Sequence, residues 1–220
     1  MVFPGSNDDR DLARALRSLG ARVEMVWHKD ARLPDGLCGI AVPGGFSYGD
    51  YLRAGAMARF SPVMAGVEAF AARGGPIFGT CNGFQVLCEA RLLPGALVRN
   101  RDLRFISKDV AVSVGDVGEF AGLASGESLV LPIKHGEGAY VPDPKRPPRV
   151  AFRYNGDNPN GSIDAIAGVV NEAGNVLGMM PHPEHAIEAA VGCGSTDGAR
   201  VLSSFLAVCA RFAVASGTSA

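Results

Sequence analysis

The 220-residue chain has no large excess of either charge. Its 22 acidic and 21 basic residues leave a formal charge of −1. Without a basic stripe to neutralise phosphates, no nucleic-acid partner is expected. No run of about 18 uncharged apolar residues occurs, so no membrane-spanning helix is expected. The start, Met1-Val2-Phe3-Pro4-Gly5, has neither the basic region nor the apolar stretch of a secretory leader. The five cysteines (38, 81, 88, 193 and 209) are odd in number and include no C-x-x-C pair. That argues against a disulfide framework or a zinc site and for a reducing, cytoplasmic setting. The phosphate-cradling pattern G-x-x-x-x-G-K-[ST] is missing, so no nucleotide cofactor or metal is expected in this chain. Only four histidines are present, which narrows the choice of a general base.

What is present suits one core. Hydrophobic residues make up 47% and charged residues 20%, and 29 glycines and 14 prolines mark many tight turns. A single domain spanning residues 1–220 is the expectation. Val2-Phe3 reads as a strand end stopped by Pro4-Gly5. Ser6, Asn7 and Asp8 offer capping oxygens to a helix carrying Leu12, Leu16 and Leu19, closed by Gly20. Val23, Met25 and Trp27 alternate as a strand, and Leu37 to Val42 reads as a buried parallel strand ending at Pro43-Gly44-Gly45-Phe46. Ser61-Pro62 opens a helix with Val63, Val67 and Phe70. The first half therefore runs strand, helix, strand, loop, helix, strand, helix, the order of a doubly wound parallel sheet. The second half is strand-rich. Val110, Val112 and Val114 alternate, Asn171 to Asn175 reads as a hairpin turn, and Pro142 to Pro148 as a surface loop. A last helix, roughly Ala199 to Phe212, covers the sheet, and Ser216 to Ala220 look frayed.

Gly79-Thr80-Cys81-Asn82-Gly83 follows the apolar run Pro76-Ile77-Phe78 and precedes a helical pattern. This is the spacing of a nucleophile elbow, with cysteine at the bend. A sharp strand-to-helix turn crowds its neighbours, which favours residues without Cβ, and the helix N-terminus favours a thiolate. A buried structural cysteine beside a glycine-rich turn is the plainer alternative. Its base must be one of four histidines. His28, among charged residues, reads as a solvated surface group. His182, in Pro181-His182-Pro183-Glu184, follows a strand end. The prolines hold this stretch extended, so His182 and Glu184 project to one side. Spacing alone weighs that pairing no higher than an ordinary loop histidine beside a loop acid.

Gly-Thr-Cys-Asn-Gly-Phe-Gln with Pro-His-Pro-Glu downstream resembles the class I (triad) glutamine amidotransferases. Within them the chain is similar to the glutaminase-subunit family of phosphoribosylformylglycinamidine synthases. The resemblance also covers Phe3 to Asn7, Pro43 to Arg53, Pro132 to Gly138, Asn158 to Ser162 and Gly194 to Gly198. It implies a three-layer α/β fold of flavodoxin-like kind, with a mostly parallel central sheet and a strand-rich second half. It implies that Cys81 attacks the side-chain amide of L-glutamine, forming a thioester and releasing ammonia, while His182 relays protons and Glu184 orients it. The oxyanion donors it implies are the backbone amides of Gly45 and Asn82. Gly44, Phe46, Tyr48, Asp50, Arg53, Gln85, His135 and Glu137 are candidates for the substrate pocket, the partner interface or a structural role. ATP and Mg are expected on a large synthetase subunit that uses the ammonia, and a small third subunit is expected with it. Departures are a short first strand, and Asp8 and Ser107 where many members carry cysteine; neither is expected to touch the chemistry, and His185 is not expected to be catalytic. The rival readings are another amidotransferase or cysteine hydrolase with a different acceptor, and a non-catalytic subunit that keeps the fold.

Overall fold

The computed structural model describes residues 1–190 and 194–217. Cys193 and the last three residues of the stretch expected to fray lie outside them. The elements in chain order are α1 (Asp9–Ser18), β1 (Ile40–Val42), α2 (Val63–Ala72), β2 (Ile77–Thr80), α3 (Asn82–Glu89), β3 (Ala96–Val98), β4 (Ile106–Val114), β5 (Ser128–His135), β6 (Ala139–Val141), β7 (Arg149–Tyr154), β8 (Ile166–Val170), β9 (Val176–Met179) and α4 (Asp197–Ser216).

Seven strands form one sheet in the order β1-β2-β9-β8-β7-β4-β5, and β3 and β6 form a small antiparallel pair. The parallel part is β1, β2 and β9, and the strand-rich second half continues the same sheet with antiparallel pairings. The parallel share is smaller than the sequence led one to expect, because the first two strands shrink to a bridge between Val2 and Trp27. Two bonds make that ladder, Val2 N–H to Val26 O and His28 N–H to Val2 O. Pro4 then ends it, having no N–H to give. The strand expected from Leu37 begins only at Ile40, where pairing with Ile77 starts.

Alternate residues of a strand face opposite sides of a sheet, and β2 shows the consequence. Phe78 packs with Leu12 and Leu16 of α1, Phe205 of α4, and Val112 and Phe152 of the sheet. Ile77 packs with Phe70 of α2, Phe84 and Leu87 of α3, and Tyr140. Two helix layers thus enclose the sheet. By length and composition α4 is long and apolar enough to cross a membrane, but its Val201, Leu202, Phe205 and Val208 are buried on the sheet. The hairpin expected at Asn171 to Asn175 joins β8 to β9. It is pinned because Asn175 Nδ2 donates to the carbonyls of Ala71 and Gly75 at 2.9 Å each. The proline-rich stretch between β6 and β7 is largely exposed, as expected of a surface loop.

Candidate active site

β2 delivers Cys81 to the carboxyl edge of the sheet, and α3 starts at the next residue. Cys81 adopts φ 46° and ψ −108°, a strained conformation for a residue with Cβ. It is held there at its own N–H, which donates to Met179 O at 2.8 Å on β9, and by Gln85 N–H bonding Cys81 O at 3.2 Å. The flanking glycines serve close approach. A Cβ on Gly83 would lie 2.0 Å from Val42 O, and one on Gly79 2.7 Å from Leu87 Cδ1. The first turn of α3 therefore rests directly on the backbone of β1.

The stretch of His182 and Glu184 is not extended as its prolines suggested: after β9, His182 caps a short helical turn, Pro183–His185, that Pro183 opens, a position where its missing N–H costs nothing. His182 N–H bonds Pro132 O at 2.9 Å, tying the turn to β5. His182 Nδ1 lies 2.6 Å from Glu184 Oε1, and both side chains are fully buried. An ionised carboxylate can only accept, so Nδ1 carries the proton and Nε2 is left as the working nitrogen. Nε2 makes no hydrogen bond of full geometry, yet the Cys81 sulfur is near enough to act on the ring as charge and as partner. Burial alone would lower the proton affinity of His182, but Glu184 and Cys81 outweigh it and raise the ring to about 10. For Glu184 burial works toward protonation, and the His182 charge and hydrogen bond reverse it, holding the acid below its usual range. Thr80 adds a 3.4 Å hydroxyl contact to the same carboxylate oxygen. The Cys81 thiol points at Lys134 O, 3.8 Å away on β5.

The Gly44-Gly45 loop lies against this group. A Cβ on Gly44 would sit 2.7 Å from both His182 Cε1 and Asp8 Oδ2, and Gly45, at φ +123°, has room for none beside Asn7 N at 2.4 Å. Among the hydrogen bonds of the described residues, none is donated by the N–H of Gly45 or Asn82, as oxyanion donors require. The Asn82 side chain knits the rim. Its Oδ1 accepts from Ser47 N–H at 3.1 Å, and its Nδ2 donates to Asp50 Oδ1 at 3.2 Å and Gln85 Oε1 at 2.8 Å. Gln85 Nε2 bonds the carbonyl of Glu137, while Glu137 Oε2 accepts from Ala54 N–H at 3.2 Å. Burial, and then the charge of Glu137, push Asp50 up to about 6. Asn82, Gln85, Asp50 and Glu137 are thus one polar network beside Cys81.

Other candidates point elsewhere. The Tyr48 hydroxyl reaches His28 Nδ1 at 2.7 Å and Ser61 Oγ at 3.0 Å. His28 is therefore buried, not the solvated group its charged neighbours suggest, because Tyr48 and Ser61 satisfy its ring. Arg53 forks onto Glu89 at the end of α3, with Nη2 to Oε2 at 2.7 Å. Phe46 is half exposed on the surface. His135 is buried and bonds Asn100 Oδ1 at 3.0 Å. Burial first and the His182 charge second lower it to about 4, so it stays neutral. Asn100 also binds His135 O and Gly138 N–H, and Asn160 binds Gly138 O at 2.8 Å. The His-Gly-Glu-Gly and Asn-Pro-Asn-Gly-Ser runs are therefore parts of one clamp.

Asp8 corrects the sequence reading twice. It caps nothing through its side chain, and it does reach the chemistry. Its Oδ1 pairs with Lys134 Nζ at 2.6 Å and its Oδ2 lies 3.6 Å from His182 Nδ1. Nothing in the sequence links positions 8, 134 and 182. His185 stacks on His182 at 5.1 Å between ring centroids and bonds Asp11 at 3.2 Å. Among the described residues, His182, Glu184 and His185, and also Asp8, Asp11 and His185, place ligand atoms close enough to share a cation. Glu184 Oε1 faces His182 Nδ1 and Asp8 Oδ1 faces Lys134 Nζ, while Glu184 Oε2 is buried without a hydrogen bond. A cavity of about 140 Å³ lies behind Glu184, lined by Asp11, Arg14 and His185. A larger one of about 510 Å³ lies at His28 and Tyr48. Cys81 lines neither and is 5% exposed.

Comparison with known proteins relates nearly the whole chain to one family. A CobB/CobQ-like glutamine amidotransferase domain matches residues 1–192. The chain is 52% identical over 215 residues to the phosphoribosylformylglycinamidine synthase subunit PurQ of Rubrobacter xylanophilus, covering 94% of this chain and 96% of that one. It is 50% identical over 214 residues to the protein of the same name from Frankia casuarinae, covering 94% and 91%. Among solved structures it superimposes on a chain of PurLQS from Thermotoga maritima with a TM-score of 0.86 at 44% identity, covering 94% and 95%. A Thermoplasma acidophilum protein described as a GMP synthase subunit shares the fold, with a TM-score of 0.68 at 19% identity, covering 98% and 95%.

Proposed function

We infer from membership of the CobB/CobQ-like glutamine amidotransferase family, to which this chain belongs, that it is the glutaminase subunit of phosphoribosylformylglycinamidine synthase. The observation that carries the chemistry is the buried 2.6 Å contact of His182 with Glu184 beside a strained Cys81 at the head of α3. With its proton already held on His182 Nε2 in the imidazolium that Glu184 and Cys81 favour, the Cys81 sulfur adds to the amide carbon of glutamine. The oxyanion that forms is met by the free N–H groups of Gly45 and Asn82. His182 returns its proton to the leaving nitrogen, ammonia departs, and a glutamyl thioester remains. Water, deprotonated by the same nitrogen, then releases glutamate and the thiol. Glu184 holds one tautomer and balances the imidazolium. Asp50, Glu137 and Gln85 line the side from which the amino acid group of glutamine enters.

ATP and Mg²⁺ bind a large synthetase subunit, which activates the amide oxygen of formylglycinamide ribonucleotide, and a small third subunit completes the assembly in the cytoplasm. Relatives named as one subunit of a synthase and a neighbour described as PurLQS support that arrangement. Ammonia passes between subunits through a shielded path, because in water at neutral pH it is protonated and loses its nucleophilicity. The test is reconstitution with the candidate synthetase. Cys81→Ala should abolish glutamine-dependent product and leave ammonia-dependent product. Full glutamine-dependent synthesis by that variant would refute the assignment of the nucleophile, and glutamine hydrolysis with no synthetase coupling would favour a different acceptor.

A further inference from the structure

Asp8 is 4% exposed, lies just before α1, and turns its carboxylate toward the site. The groups facing His182 come from every element around it: Cys81 at the elbow, Glu184 and His185 on the following turn, Lys134 and His135 on β5, and Asp8. Glu184 Oε1, at 2.6 Å, accepts the hydrogen bond from Nδ1–H. At 3.6 Å, Asp8 Oδ2 is too far to accept a hydrogen bond but close enough to act by charge. Its other oxygen is held at 2.6 Å by Lys134 Nζ, and the carbonyl of Lys134 faces the Cys81 sulfur. Gly44 closes the gap from above, since any Cβ there would strike both Asp8 Oδ2 and His182 Cε1. The carboxylate thus touches the base, the oxyanion loop and a lysine on the nucleophile's own wall.

We propose that Asp8 is a positioning residue for the glutaminase step: a second carboxylate, moderated by Lys134, that stabilises the protonated form of His182. The proposal rests on the glutaminase reading of Cys81 and His182. An opposite charge within about 4 to 6 Å favours the charged form of its neighbour, so removing Asp8 should make the imidazolium lose its proton more easily. The sign for Lys134 is opposite, because its loss frees the Asp8 charge to act on the ring.

The test is the pH dependence of kcat/KM for glutamine in the reconstituted complex. Asp8→Asn should move the alkaline limb down by about one pH unit, a loss of about tenfold above both limbs and little below, and Asp8→Glu should return the limb toward its original place. Lys134→Gln, at a partly exposed position, should move it up, and serves if Asp8→Asn does not fold. A limb unmoved in Asp8→Asn, an equal loss at every pH in both Asp8 variants, or a limb lowered by Lys134→Gln overturns the proposal. Absence of glutamine-dependent synthesis in the unsubstituted complex overturns the glutaminase reading with it, whereas an active complex with unmoved limbs overturns the role of Asp8 alone.

Discussion

Adding one methyl group at Gly83 should disable the elbow. An alanine Cβ there would lie 2.0 Å from Val42 O, 2.7 Å from Val42 C and 3.1 Å from Pro43 O. The first of these is roughly 1.4 Å short of ordinary contact. All three neighbours are backbone, so no side chain can swing aside. The start of α3 must then lift off β1 by about 1 Å, carrying with it the Asn82 N–H and the Cys81 bend. Overpacking of this kind costs about 1 to 3 kcal/mol, or a fall in melting temperature of about 2 to 4 °C per kcal/mol in a chain of this size. A displacement of 1 Å at the reacting atoms lowers the chemical step by about a hundredfold. Gly136 provides the contrast, because a Cβ there would meet only Phe105 Cδ2 at 3.9 Å; Gly136→Ala should melt like the parent. Calorimetry on both variants, with glutamine-dependent and ammonia-dependent synthesis measured for Gly83→Ala in the complex, checks the argument. Gly83→Ala with parental melting and glutamine-dependent rate would show that the glycine spacing has no geometric role.

Glu184→Gln should lower glutamine-dependent kcat by about 10² to 10⁴ with little change in KM, since it removes the charge that fixes the His182 tautomer; steady-state kinetics in the complex decide, and a loss confined to KM contradicts the role. His135, held at about 4 against an ordinary 6.5, binds a proton in the unfolded chain before the folded one, so stability should fall as pH drops from 6.5 to 4, by on the order of 3 kcal/mol at most. His135→Gln should blunt that loss in denaturant titrations at pH 7 and pH 4, and an unchanged slope would refute it. Asp50, raised to about 6, should lose its charge in mild acid, so the glutamine KM should rise below pH 6. Asp50→Asn should raise KM by about tenfold, the scale of one charge-assisted contact, and flatten that dependence. A KM independent of pH in the parent complex would place Asp50 outside the pocket.

The legible parts of this chain were those where chemistry and local backbone coincide. The strand, bend and helix around Cys81 can be read from five residues, because the glycines there answer a steric demand that acts within one turn. His182 and Glu184 were paired on the expectation of an extended stretch, whereas Pro183–His185 closes into a helical turn that brings the two side chains together, and only the fold brings them to Cys81, by pairing β9 with β2. The sheet was less legible. Val23, Met25 and Trp27 alternate as a strand should, but pairing depends on a partner, and Pro4 cuts the partner short. Asp8 and His28 were misread for the same reason in reverse: each sits among residues that suggest a cap or a wet surface, and each is buried by groups far away in sequence, Lys134 and His182 in one case, Tyr48 and Ser61 in the other.

The mixed sheet explains how so small a chain assembles the site. A parallel sheet brings strand ends and helix starts to one edge, which is where Cys81 and the Gly44-Gly45 loop lie. The antiparallel half contributes β5, which runs past that edge and sets Lys134 O against the sulfur, Lys134 Nζ against Asp8 and Pro132 O against the His182 amide. The nucleophile thus belongs to the parallel part, while the wall that positions its base belongs to the antiparallel part. Cys81 is almost wholly covered, and the polar network of Asn82, Asp50, Gln85 and Glu137 lies beside it. The rim segment from Tyr48 to Leu52 holds three non-glycine residues at positive φ, a backbone that stays ordered only while its surroundings impose it.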